Sequence, residues 1–186
     1  MYVFPHRASL DEQWARDWKQ PGFKAECWMI ASGVADRLDL LSPRTWERQA
    51  CDHNGNDSQE VRQVILHELV HVFHAQQNPL PGFDGMDELS WLIEGLATYV
   101  SGQLTEDKIK SVRRQLADGV APASLADFWK GKLRYQQAGT LIKFIDERYG
   151  RDKLISILGL TDLPSILEIL ATTEIGLIQS WIDFYK

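Results

Sequence analysis

Positive charge is scarce in this chain of 186 residues: 20 lysines and arginines stand against 26 aspartates and glutamates, a net charge of −6. That balance argues against a nucleic acid partner and against an anionic membrane surface. No apolar run approaches the length needed to span a bilayer. The opening MYVFPHRASLDEQW has no charged segment followed by an apolar core, so no secretion signal is read there. Cys27 and Cys51 are the only cysteines, which is no disulfide framework. Repeats, low-complexity segments and internal linkers are also missing. These absences point to a soluble cytoplasmic protein. With 44% apolar residues, the chain can bury one core as a single domain over 1–186.

Val61–Gln77, VRQVILHELVHVFHAQQ, holds His67-Glu68-Leu69-Val70-His71, an H-E-x-x-H pattern. On a helix, residues four apart share a face, so His67 and His71 can offer two imidazoles to one metal ion. Glu68 stands about 100° further round, where it can reach a water bound to that metal as a general base. Asp57 and Ser58 suit an N-cap, apolar residues recur at helical spacing from Val61 to Phe73, and Asn78-Pro79 stops the helix. A helix this apolar is buried, and its polar groups need partners, which a metal supplies.

Before this helix the pattern predicts a helix over Leu10–Gln20 with a Ser9/Glu12 capping box, and a strand over Phe23–Ala31. A turn at Ser32-Gly33 follows, then a half-exposed strand over Arg37–Leu41 and a short helix opening at Ser42-Pro43. After it come helices from Asp87 to about Ser101, over Thr105–Asp118, Ser124–Gly131 and Leu133–Tyr149, and a helical end broken at Gly159, Pro164 and Gly176. The fold class is α+β: residues 1–58 form a helix and a small sheet packed on the H-E-x-x-H helix, and 59–186 are mostly helical. Seven tryptophans suit a rich core or an apolar groove.

A catalytic zinc takes three protein ligands and leaves a position for water. His74 shares the face of His67 and His71 but lies about 10 Å along the axis from His67, too far to share an ion bound at ~2 Å. It reads as a rim or packing residue. Glu94 is the better third ligand, a carboxylate among Leu89, Leu92, Ile93, Leu96 and Val100. Gly95 costs its helix about 1 kcal/mol relative to alanine, which implies close packing, with the metal helix as the expected partner. Cys51, Asp52 and His53 remain alternatives. Tyr135, Tyr99, Tyr149 and Arg134 compete as donors to an oxyanion, since no histidine follows His74.

HELVH followed by WLIEGLATY resembles the gluzincin metallopeptidases of the peptidase-MA-like group, in which the second helix supplies a metal-binding glutamate. Tyr135-Gln136-Gln137-Ala138-Gly139-Thr140 through Phe144 and Glu147-Arg148-Tyr149-Gly150 resembles a later segment of that group, and Trp181-Ile182-Asp183-Phe184-Tyr185 suits its end. The likeness runs from about Phe23 to the C-terminus. The 22 residues between His71 and Glu94 exceed the spacing typical of gluzincin aminopeptidases. Thr98 replaces an aspartate that in some relatives orients a ligand histidine.

The resemblance implies zinc held by His67, His71 and Glu94, Glu68 as general base, Tyr135 as oxyanion donor, and hydrolysis of a peptide or protein substrate. It also implies that the strand before the metal helix, Asp36–Leu41, pairs with extended substrate. Aminopeptidase relatives carry a G-x-M-E-N segment on that strand, and Gly33-Val34-Ala35-Asp36 does not match it. Gly85-Met86-Asp87-Glu88 is similar but falls on the wrong side of the metal helix. Endopeptidase or processing activity is therefore favoured. The alternatives are a non-catalytic zinc-binding interaction module that retains the peptidase fold, and a helical interaction protein with an accidental motif.

Overall fold

A 20-residue helix, Ser58–Gln77, runs between two hydrophobic clusters and supplies a residue to each. In the computed structural model, which describes residues 1–186, it is the third helix, α3. Asp57 caps it by accepting hydrogen bonds from the backbone N–H groups of Gln59 and Glu60, and Asn78 ends it in extended conformation. Val64 joins a small N-terminal cluster with Leu10, Trp14, Ile30, Leu38, Leu40, Leu41 and Trp46. Val70 joins a 27-residue cluster built from the later helices.

The N-terminal part holds β1 (Tyr2–Phe4), α1 (Arg7–Asp17), β2 (Ala31–Val34), β3 (Arg37–Leu41) and α2 (Trp46–Gln49). The sheet order is β1-β3-β2, with β1 parallel and β2 antiparallel to β3. The helices that follow α3 are α4 (Ser90–Val100), α5 (Glu106–Ala117), α6 (Arg134–Tyr149), α7 (Arg151–Ser156), α8 (Leu163–Leu170) and α9 (Glu174–Tyr185). A small N-terminal sheet followed by helices makes the fold α+β, as its pattern indicated. No helix is long and apolar enough to cross a membrane.

Several local expectations are corrected. Phe23–Ile30 is not a strand, and β2 begins only at Ala31. Ser32-Gly33 is not a turn but the middle of β2, and the chain reverses at Ala35-Asp36. Gly33 serves a close approach instead: a Cβ there would stand 2.2 Å from the Glu68 carbonyl oxygen of α3. β3 is not half exposed, because Leu38 to Leu41 are all buried at the centre of the sheet. Its Asp39 is tolerated there by a 2.7 Å ion pair with Arg37. Ser9 lies inside α1 and bonds back to the His6 carbonyl, so no capping box forms. Asp87 opens a 3-10 turn ahead of α4 rather than the helix itself. Pro164 and Gly176 fall in the first turns of α8 and α9, beginning helices instead of breaking them.

Gly95 does mark a close approach, but to α6 and not to the metal helix. A Cβ at residue 95 would lie 2.6 Å from the Ala138 carbonyl oxygen. The α4–α6 pair is thereby locked with Leu92, Leu96, Ala138 and Leu141 fully buried or nearly so.

Cys27 and Cys51 are joined in a disulfide across a sequence separation of 24. Two cysteines form no framework, yet this single bridge ties the 26–30 loop to the segment after α2. Arg7 reinforces the junction, donating to the carbonyls of Cys27, Met29 and Gln49.

Candidate metal centre

The helical spacing of α3 brings Nε2 of His67 and Nε2 of His71 to 3.1 Å from each other. From α4, Oε2 of Glu94 lies 3.4 Å from the first and 3.7 Å from the second. These three residues are the one cluster of metal-ligating type in the protein, with one donor atom from each lying within 4.8 Å of the others. Two imidazoles and a carboxylate converging beside a cleft form a donor set that could hold a metal ion. Three acceptor atoms converging this closely would otherwise have to share protons, and Nδ1 of His71 is buried with no hydrogen-bond partner at all. The residues fit a divalent cation.

Burial and charge compete here. Burial pushes Glu94 up, but the His67 hydrogen bond and the electrostatic pull of the two imidazoles and Arg134 outweigh it, leaving Glu94 lowered from its ordinary value. His71 falls to about 4, chiefly through burial, and so presents a neutral imidazole. For His67 burial works downward, while Glu94, Glu68 and Gln103 prevail and raise it. Burial raises Glu68 to about 7, against the lowering influence of His67 and of the Gly33 N–H. A carboxylate whose proton affinity sits near neutral is suited to taking and returning a proton.

Gln103, which sequence pattern did not single out, sits in the segment between α4 and α5. Its Oε1 lies 3.0 Å from Nδ1 of His67, accepting a hydrogen bond from the ring and leaving Nε2 facing Glu94. Thr98 does not take this part, since its hydroxyl is buried without a partner and its methyl faces Gly139 on α6. His74 is fully buried with its ring 4.8 Å from that of Phe83, a packing residue outside the cluster.

Cys51 is consumed by the disulfide. His53 is held by Glu60 and the Trp28 carbonyl, so neither it nor Asp52 joins the cluster.

A cleft of about 1170 Å³ runs over the cluster. Ala31, Ser32 and Gly33 of β2 form one wall, and Trp129, Arg134 and Tyr135 the other. The Tyr135 ring is 6.5 Å from that of His67. Of its competitors, Tyr99 is turned away to donate to Asp146, 2.8 Å distant, and Tyr149 packs on Phe144. Arg134 alone remains beside it. The tryptophans divide between both uses, with Trp14, Trp46, Trp91 and Trp181 buried and Trp28 and Trp129 lining the cleft.

β3, expected at the cleft, is the central strand and is paired on both sides. The strand with an open edge beside the cluster is β2. Comparison with protein-family models, curated proteins and solved structures finds no match to this chain.

Proposed function

We propose that this chain is a zinc-dependent peptide-bond hydrolase of gluzincin type, acting within chains rather than at a free amino terminus. The observation that carries the reading is the meeting of His67, His71 and Glu94 beside the buried Glu68 at the floor of a cleft. A zinc ion held by those three residues supplies Lewis acidity, polarising the scissile carbonyl and acidifying a water molecule.

Glu68 would take a proton from a water molecule as the water oxygen bonds to the carbonyl carbon, and would return that proton to the amine nitrogen as the C–N bond breaks. Tyr135 donates to the oxyanion that develops on the carbonyl. Burial first, and the nearby Glu94 charge second, raise the Tyr135 phenol above its ordinary value, so its proton is in place at neutral pH. Gln103 keeps the His67 ring oriented. The open edge of β2 offers backbone groups to an extended substrate, aligning it along the cleft. Two carboxylates of the cleft flank are already engaged: Glu60 binds His53 and the Asn54 N–H, and Asp57 caps α3.

The disulfide favours an oxidising compartment over the cytoplasm that composition alone suggested.

The test is cleavage of a mixed peptide library by the zinc-loaded protein and by Glu68→Gln. The proposal expects internal cuts, slowed on the order of a hundredfold or more by the substitution while zinc stays bound. Equal cutting by both proteins, or none by either, contradicts it.

A further inference from the structure

Arg134 opens α6 on the cleft wall, directly before Tyr135. Its guanidinium carbon lies 5.2 Å from the Trp129 ring, 5.3 Å from the Tyr135 ring and 5.9 Å from the Trp28 ring. These rings come from three separate segments: the disulfide-tethered 26–30 loop, the 3-10 turn Leu125–Trp129, and α6. The guanidinium is therefore surrounded by rings from three segments of the cleft lining, so packing restricts its position before any ligand arrives.

The other arginines that are not exposed, Arg7 and Arg37, have partners, as does Arg151. Arg7 donates to backbone carbonyls, Arg37 pairs with Asp39 and Asp17, and Arg151 with Asp146. Arg134 forms no ion pair. No acid of the same cleft comes within ion-pair distance of it: Asp57 and Glu60 have the partners described above, Glu94 feels its charge but contacts the two histidines, and Glu68 is buried at the floor. Asp52 is exposed beside the disulfide. Lys108, the cleft's other cation, stacks on no ring. A half-buried guanidinium set among aromatic rings, with no carboxylate at ion-pair distance, is a positioned fork for a planar anion.

We propose that Arg134 receives a carboxylate of the substrate, close to the bond that is cut, so that the cleft selects peptides with an acidic group there. The carboxylate is that of an aspartate or glutamate side chain, and binding through a free carboxyl terminus is the other outcome that the probes below distinguish. The substrate class rests on the peptide-hydrolase reading. Arg134 sets specificity, while Glu68 and Tyr135 touch the reacting atoms.

Binding is measured by calorimetry on zinc-loaded Glu68→Gln protein, so that no turnover is needed. The probes are a neutral amidated octapeptide of alanine and leucine, the same peptide with one glutamate walked through its central positions, and the neutral sequence with a free C-terminal carboxylate. The best acidic probe is expected to bind about tenfold or more tighter than the neutral amide. Adding Arg134→Gln brings that ratio towards one, and Arg134→Lys, which keeps the charge without the flat fork, retains part of it. Whichever acidic probe binds tighter identifies the source of the carboxylate. Equal binding of all probes, binding of none, or a preference that survives Arg134→Gln overturns the proposal. Cleavage of the same probes by the unsubstituted protein separates the two readings. Cutting without charge preference overturns only the carboxylate site. An Arg134-dependent preference with no cutting overturns only the hydrolase.

Discussion

The Gln103 side-chain oxygen stands 3.0 Å from Nδ1 of His67, joining the segment after α4 to the metal helix. That contact fixes which ring nitrogen of His67 is free for a metal. Partners of this kind are commonly worth ten- to a hundredfold in metal affinity. Gln103→Leu is accordingly expected to weaken zinc binding about tenfold with little change in melting temperature, as read by chelator competition and thermal unfolding. Unchanged zinc affinity would remove Gln103 from the site.

Gly33 and Gly95 hold two helix contacts at distances that no side chain fits. A Cβ at residue 33 meets the Glu68 carbonyl oxygen at 2.2 Å, and one at residue 95 meets the Ala138 carbonyl oxygen at 2.6 Å. Both obstructions are backbone, so relief requires strands or helices to move. Gly33→Ala and Gly95→Ala are each expected to cost about 1–3 kcal/mol in denaturant unfolding. Gly33→Ala should also slow catalysis, because its Cβ meets the backbone of Glu68 itself. Wild-type stability in either variant would refute the packing assigned to that glycine.

Breaking the Cys27–Cys51 bridge removes a cross-link of sequence separation 24. The Cys27→Ser/Cys51→Ser variant should lose about 3 kcal/mol of stability. Trp28, carried by the tethered loop, should show a shifted fluorescence as the cleft wall loosens. A variant as stable as the parent would mean that Arg7 and its carbonyl partners hold the loop unaided.

His74 is fully buried, and burial together with the nearby His71 charge lowers it to about 4 from an ordinary value of 6.5. The unfolded chain binds this proton at a higher pH than the folded one. Stability contributed by the neutral ring is therefore complete above about pH 6.5 and is lost as pH falls towards 4. In chelator-treated protein, His74→Leu should flatten this part of the pH–stability profile relative to the parent, by up to a few kcal/mol at the acid end. Parallel profiles for the two proteins would contradict this.

The helical half of the fold was legible because its signals are local. Asp57 ahead of Val61, Thr105 ahead of Ile109 and Gly150 after Tyr149 mark helix ends within a few residues, and the structure uses each as a cap or terminus. His67, His71 and Glu94 were legible for the same reason: helical spacing gives two, and a carboxylate inside an apolar stripe gives the third. The sheet was less so. β1 is three residues long, and its pairing with β3 lies far away in sequence.

Gly33 reads as a turn in one dimension and is a contact surface in three. The same ambiguity moved the partner of Gly95 from α3 to α6. Gln103 carries no pattern of its own, since a glutamine in a loop becomes a histidine's anchor only when the chain folds. The disulfide is of this type too, because two cysteines 24 residues apart state nothing about their distance.

The central claim is that His67, His71 and Glu94 hold one zinc ion. It is tested most directly by elemental analysis of the purified protein after zinc reconstitution and removal of excess metal, with Glu94→Ala treated identically. The account predicts about one zinc per chain, falling to well below that in the variant while the fold, read by circular dichroism, persists. A protein that takes up no zinc, or a Glu94→Ala variant that keeps it as tightly as the parent, would contradict it.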